Sequence, residues 1–124
     1  MIIKGKKVGF KLHGKTYHCA MDITMDYIGG KWKTVILWYL RKDTMRFSDL
    51  RHRIPDITEK MLSLQLKALE ADGLIQRKVF GSKPPLRVEY SLTAFGKTLV
   101  GPLESIAKWG RQLGESEGTI EEME

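Results

Sequence analysis

The fold is decided by the stretch from Thr58 to Gly73, which reads TEKMLSLQLKALEADG. Threonine is a favoured residue just before a helix, and glycine is typical of the position just past a helix end, so the stretch predicts a helix over 58–72. Leu62, Leu66 and Leu69 recur at spacings of four and three, which places them on one buried side.

The side of this helix that faces away from the leucines is basic or short-chained. At 100° per residue, Lys60, Leu64, Lys67 and Ala71 point outwards, with Ser63 at the flank. Lysine can bind a guanine edge or a phosphate, and an exposed leucine can touch thymine methyl groups, so this side suits close approach to DNA. We predict DNA contacts from Thr58, Lys60, Met61, Ser63, Leu64 and Lys67.

The segments on either side of this helix complete a winged helix-turn-helix. Ser48 is expected to cap a shorter helix that contains Leu50 and Ile54 and ends at Pro55. Strands over 74–80 and 87–92 then form a hairpin around a polar turn. In this arrangement the second helix reads the major groove, and a basic hairpin reaches phosphates or the minor groove. The candidate wing residues are Arg77, Lys78, Lys83 and Arg87, and the candidate backbone contacts are Lys31, Arg46 and Ser48.

The rest of the chain divides into short elements. A hairpin is expected over 8–12 and 15–18 around His13-Gly14, followed by a helix from Met21 or Asp22 to Gly29 and an apolar helix over 31–40. Residues 45–47 read as a short strand. Thr93 caps a last helical region, which Gly101-Pro102 is expected to divide, because proline interrupts a helix. The predicted class is mainly α with a small antiparallel β-sheet.

The predicted core joins the leucines of helix 58–72 to Leu37, Leu40 and Leu50, and Trp32 is expected to be largely buried. The last helical region leaves apolar side chains in phase for a second copy of the chain. A homodimer is therefore expected, since a small domain gains stability by burying more surface. The candidate interface residues are Phe95, Leu99, Leu103, Ile106 and Trp109.

The charge of the chain is unevenly distributed. The net charge is +6, but the last ten residues hold five of the 15 acids and none of the 21 bases, which leaves the body at +11. A basic body favours a nucleic acid partner. We expect an N-terminal extension over 1–18, a DNA-binding domain over 19–114 and an acidic, disordered or fraying tail over 115–124. No stretch reads as a membrane span or a signal peptide, so the expected location is the cytoplasm.

Catalytic and metal-binding interpretations find little support in the residues. The sequence has no nucleophile elbow, zinc-protease motif, phosphate-binding glycine loop or dinucleotide fingerprint, so no enzyme activity and no cofactor are expected. His13, His18 and Cys19 do not have the spacing of a closed zinc site. The functional alternative that stays open is a winged helix that binds another protein rather than DNA.

Several short segments in order resemble the HxlR-type regulators, a branch of the MarR-like winged-helix group. They are Cys19, Gly29-Gly30-Lys31-Trp32, Arg46-Phe47-Ser48-Asp49-Leu50, Leu69-Glu70-Ala71-Asp72-Gly73-Leu74-Ile75, Val88-Glu89-Tyr90-Ser91-Leu92-Thr93 and Trp109-Gly110. The resemblance implies a bacterial or archaeal cytoplasmic homodimer, paired through its terminal elements, on a pseudo-palindromic operator. Regulation is expected from anything that changes the spacing of the two recognition helices, such as binding of a small molecule or oxidation at Cys19. Two departures are Ala20, where members commonly have proline, and the 18-residue segment ahead of Cys19.

Cys19 is the single cysteine and precedes a predicted helix, whose dipole favours a thiolate. His18 and Lys15 are basic neighbours in sequence. Some HxlR-type relatives sense oxidants or electrophiles with a cysteine at this position. A disulfide here would have to be intermolecular, and the alternative is a small residue packed at the helix entry.

Overall fold

The computed structural model describes residues 1–123, which form six helices and three two-stranded antiparallel sheets. In chain order the elements are β1 Ile2–Ile3, β2 Lys6–Lys7, β3 Phe10–Leu12, β4 Lys15–Tyr17, α1 Ala20–Ile28, α2 Lys33–Leu40, α3 Phe47–Arg53, α4 Glu59–Ala71, β5 Ile75–Phe80, β6 Arg87–Leu92, α5 Ala94–Lys97 and α6 Val100–Glu117. This confirms the predicted winged helix-turn-helix, mainly α with small antiparallel sheets. None of the helices in the described part combines the length and apolar character that crossing a membrane requires.

The N-terminal segment is two consecutive hairpins, of which the sequence predicted the second. In that hairpin Phe10 lies opposite Tyr17, and the turn residues His13 and Gly14 have positive φ angles of 49° and 78°. The first hairpin pairs β1 with β2. Its two-residue strands are too short to show the alternation by which a strand is predicted.

The second hairpin is fastened to α1 through one carboxylate. Lys15 Nζ and Tyr17 Oη donate to Asp26 Oδ2 at 2.9 Å and 2.7 Å. The hydrogen bond from Tyr17, followed by that from Lys15, lowers the pKa of Asp26. The bonds to the same carboxylate raise the pKa of Lys15 and that of Tyr17. These shared contacts hold the extension against the domain.

The start of α2 corrects two expectations. Helix α2 begins at Lys33 rather than at Lys31 as predicted, and Gly30 in the segment ahead of it has a positive φ of 95°. Trp32 is the residue before the helix and is only partly buried, not largely buried as expected. The Lys31 ammonium lies over its indole ring, 4.5 Å from the ring centroid, so one face of the ring remains at the surface.

The segment from Met45 to Phe47 is not the predicted strand. Met45 exchanges two backbone hydrogen bonds with Tyr90 of β6, at 3.0 Å and 2.8 Å, but the pairing ends there. Phe47 is already the first residue of α3, and Ser48 lies in its first turn rather than capping it. The Arg46 backbone N–H donates to the Asp49 carboxylate at 3.0 Å, so Asp49 fixes the helix entry earlier than predicted.

Helix α4 matches its prediction at both ends. Thr58 Oγ1 accepts a hydrogen bond from the Met61 backbone N–H at 3.0 Å. Asp72 ends the helix, and Gly73 follows with a φ of 76°, a conformation that glycine adopts without strain.

The C-terminal helical region divides earlier than predicted. Thr93 caps α5 by accepting from the Gly96 backbone N–H at 2.9 Å, and the break lies at Thr98 and Leu99. Pro102 stands in the first turn of α6, where a missing N–H costs no helical hydrogen bond. Helix α6 then continues to Glu117, past the boundary expected at residue 114.

One apolar core joins the helices and the wing of the domain, from Ile28 of α1 to Leu103 of α6. The three leucines of α4 share it with Leu37, Leu40 and Leu50, as predicted. Leu103 is a correction: with 4% of its surface exposed, it belongs to this core, because the first turns of α6 pack against α2. It is therefore not free to contact a partner.

A candidate nucleic-acid interface

The outer side of α4 is the centre of the candidate site. Leu62, Leu66 and Leu69 are at most 1% exposed and fix the helix on the core. The residues that the helical wheel turned outwards are exposed, including Lys60, Lys67 and Leu64, the last with 58% of its surface. A helix that is anchored on one side and exposed on the other can enter a groove without changing shape.

Two residues predicted for this face are less available than the lysines. Ser63 is half-buried at the flank. Met61 packs partly against the core, and its sulfur lies 3.3 Å from the Gln65 side-chain nitrogen. Thr58 is exposed, but its hydroxyl oxygen already accepts the N-terminal bond of α4.

Glu59 lies at the end of α4 where an acid would repel a phosphate. The structure places Arg51 of α3 against it, with Arg51 Nη1 2.6 Å from Glu59 Oε1. This arginine offsets the negative charge of the carboxylate at the front of the site.

The end of α3 adds two arginines, Arg51 and Arg53, that were not predicted from the sequence. Arg51, His52 and Arg53 are consecutive and exposed in the last turn of α3. The run was visible in the sequence, but the pairing of Arg51 with Glu59 depends on how α3 and α4 cross. Arg51 and Arg53 therefore join the candidate site.

The residues predicted to contact the DNA backbone lie in two parts of the structure. Arg46 and Ser48 are exposed at the start of α3. Lys31 lies ahead of α2, against the ring of Trp32.

The basic residues of the wing face different directions. Arg77 alternates with Ile75 and so lies on the side of the hairpin that continues from the core. Lys78 is on the opposite side, across from Glu89. Arg87 Nε is 2.8 Å from that same carboxylate, and its guanidinium lies over Phe80 at 4.7 Å. Of the four basic residues predicted for the wing, Arg87 is therefore neutralised by Glu89.

Lys83 occupies the turn of the wing and is exposed. Among the ion pairs of residues 1–123, none involves Lys83, Arg77 or Lys78. These three cations remain available to a polyanion.

Cys19 is a free, partly buried thiol at the residue that precedes α1. His18 and Lys15, the basic residues near Cys19 in sequence, contact acids rather than the thiol. His18 Nδ1 lies 2.7 Å from Asp22 Oδ2, and Lys15 is paired with Asp26. Within residues 1–123, no three His, Cys, Asp or Glu side chains gather as a metal site would require.

The candidate dimer residues mostly form an exposed apolar stripe. Ile106 and Trp109 are 60% and 68% exposed on α6, and Leu113 continues the stripe. Phe95 is 49% exposed and touches Tyr27 edge to face, with ring centroids 5.7 Å apart. Leu99 is partly buried.

The comparison with known proteins gives a consistent result. Residues 27–118 match the model of the HxlR-like helix-turn-helix family. The chain is 42% identical over 113 residues to the uncharacterized HTH-type transcriptional regulator YtcD of Bacillus subtilis, covering 87% of this chain and 89% of YtcD. It is 43% identical over 98 residues to an uncharacterized HTH-type transcriptional regulator of Methanothermobacter thermautotrophicus, covering 79% of this chain and 74% of the relative.

Among solved structures, the redox regulator HypR in its oxidised form superposes with a TM-score of 0.72 at 42% identity. The match covers 76% of this chain and 96% of HypR. The order of the elements, the anchored α4 beside a basic hairpin and these matches lead to one assignment. The chain belongs to the HxlR-like helix-turn-helix family of transcriptional regulators.

Proposed function

We propose that this regulator binds double-stranded DNA sequence-specifically, with α4 in the major groove. The observation that carries the proposal is the exposed row of Lys60, Leu64 and Lys67 on a helix whose opposite side is locked in the core. Lysine and leucine side chains on one helix face suit guanine edges, phosphates and thymine methyl groups. Ser63 supplements them from the flank, and Thr58 and Met61 act mainly by fixing the start of the helix.

The wing and α3 supply contacts that position the protein on the duplex. Lys83, Arg77 and Lys78 are unpaired cations of the hairpin, and Arg87 becomes a phosphate contact when it exchanges Glu89 for DNA. Arg46 and Ser48 are exposed at the start of α3, where a guanidinium and a hydroxyl group can reach a phosphate. Such contacts raise affinity for any sequence and carry no base preference.

We further propose that two copies act together on a pseudo-palindromic operator. The stripe of Ile106 and Trp109, which Leu113 continues, leaves large apolar side chains in water, and burying them against a second copy would stabilise the protein. A two-fold pairing through this stripe presents two copies of α4, and half-sites one helical turn, about 34–36 Å, apart would fit them.

Regulation and location follow from the same assignment. HypR, to which the chain is similar, is a redox regulator solved in an oxidised form, which supports Cys19 as a thiol-stress sensor here. A small-molecule effector is the other means by which the spacing of the two α4 helices could change.

A transcriptional regulator must have access to the DNA that it binds, and we propose that this protein is located in the cytoplasm.

The test is binding to labelled duplex DNA from the region upstream of the gene, over a salt series and with unrelated competitor. We expect binding that survives competitor and weakens steeply with salt. Lys67→Ala should weaken binding, and Lys97→Ala is the matched control, because Lys97 is an exposed lysine on α5 outside the site. Failure to bind even at low salt would refute the proposal and favour a protein-binding winged helix.

A further inference from the structure

A cavity lies where the N-terminal hairpin meets the domain. Its volume is about 560 Å³, within the range of small-molecule sites. The walls come from the second hairpin, α1, the end of α4 and the start of the C-terminal region. They are formed by Leu12, His13, Ile23, Thr24, Tyr27, Asp72, Leu74, Phe95, Thr98 and Leu99.

The walls are mainly apolar, with two aromatic rings. Tyr27 and Phe95 meet edge to face, with ring centroids 5.7 Å apart, and Leu12 of the second hairpin lines the same cavity. An apolar chamber with aromatic rings favours a flat, apolar molecule. Because Leu12 belongs to the extension that precedes the family match at residue 27, this chain completes the cavity with a segment outside that match.

Asp72 is the acidic residue among the lining side chains of the cavity. It is the residue that ends α4, where the helix dipole is negative and an acid is unfavourable. Among the salt bridges of residues 1–123, none involves Asp72. A cation placed beside this carboxylate would offset both the acid and the helix end.

Asp26 is a second acid in the same region, and its negative charge is already neutralised by Lys15. It lines an adjoining cavity together with Asp72, yet it already accepts from Lys15 and Tyr17. The two carboxylates are therefore not equivalent, and only Asp72 lacks a cationic partner of its own.

We propose that this cavity binds a small aromatic cation, with the ring system between Leu12 and the two aromatic side chains and the amine at Asp72. Thr24 and Thr98 add hydroxyl groups that can accept from the amine. The cavity touches the end of α4, α5 and the junction between α5 and α6. Its role as an effector site rests on the proposed function, whereas its existence does not.

The test uses three probes with one ring system: naphthylmethylamine, naphthylmethanol and naphthoate. Each is titrated into the full chain without DNA and followed by NMR chemical shifts. The amine is expected to bind most tightly and the carboxylate most weakly, with shifts centred on Tyr27, Thr98 and Leu99. Equal binding of the amine and the carboxylate, shifts elsewhere, or no binding at millimolar concentration would overturn the proposal.

Two variants test whether the Asp72 carboxylate, rather than the apolar walls of the cavity, determines the preference for the amine. Asp72→Asn should weaken amine binding by up to about five-fold, the range of a partly exposed ion pair, and leave the alcohol unchanged. Asp56→Asn is the control, since Asp56 is an exposed acid that lines neither this cavity nor its neighbour. An amine that binds Asp72→Asn as tightly as the parent chain would also refute the assignment. Because no DNA is present, either result is independent of the DNA-binding proposal.

Discussion

Replacing Gly96 with alanine tests how the C-terminal helices are joined to α4 and the wing. Gly96 is buried in α5, directly against the backbone of Leu74 between α4 and β5. A Cβ on Gly96 would lie 3.0 Å from the Leu74 carbonyl carbon and closer still to its oxygen. Leu74 is fully buried, and Thr93 Oγ1 also donates to the Gly73 carbonyl oxygen, so this backbone has little room to move.

The expected cost follows from the clash and from helix propensity. Extra atoms in a packed core destabilise by about 1–3 kcal/mol. Alanine recovers up to about 1 kcal/mol in a helix. Because the obstacle is backbone, the clash should be at the upper end, so the free energy of unfolding should fall by about 2 kcal/mol. For a chain of this size that lowers the melting temperature by roughly 8 °C.

Thermal and urea denaturation of Gly96→Ala measure this loss at one fixed protein concentration, because the proposed self-association would make stability depend on concentration. Gly101→Ala is the matched control: Gly101 is also helical, but a Cβ there meets nothing within 4 Å. We expect the control to be unchanged or slightly more stable. If Gly96→Ala is as stable as Gly101→Ala, the close packing of α5 on Leu74 is wrong.

Three further outcomes are expected. Glu59→Gln should raise DNA affinity several-fold in gel-shift titrations, because Arg51 loses its partner at 2.6 Å and turns to phosphate; unchanged or weaker binding would contradict this. The stabilisation of the folded state by the Asp26 carboxylate should be fully present above the unfolded-state pKa of Asp26 and should be lost as pH falls through its lowered folded-state pKa. The NMR signals of Tyr17, which donates to this carboxylate, should therefore change in acid. Asp26→Asn should abolish that acid transition. Trp109→Glu should shift sedimentation toward a monomer, and an unaltered dimer would exclude the α6 stripe as the interface.

Helix α4 was predictable because several local signals agree on it. A threonine cap, a leucine stripe and a terminal glycine each point to the same boundaries, and burial of the stripe fixes which side is outermost. The wing strands were similarly bounded by a polar turn. Where local propensity and tertiary packing agree, sequence alone locates the element.

The features that were predicted wrongly from the sequence depend on contacts between residues far apart in the chain. Met45 joins β6 through a single pairing with Tyr90, which no local pattern reveals. Leu103 has the same spacing as the exposed residues of α6, but the first turns of α6 lie against α2 and bury it. The pairing of Arg87 with Glu89 is a different case, because the two residues lie on one face of β6, two positions apart, and strand alternation could have revealed it.

The central claim is that α4 reads base edges in the major groove. Methylation protection at guanine N7, which lies in that groove, tests it directly on a selected duplex. We predict two clusters of protected guanines about one helical turn apart, with protection reduced in Lys60→Ala and Lys67→Ala and retained in Lys97→Ala. Specific binding that leaves every guanine N7 accessible, or protection that both variants preserve in full, would contradict the account.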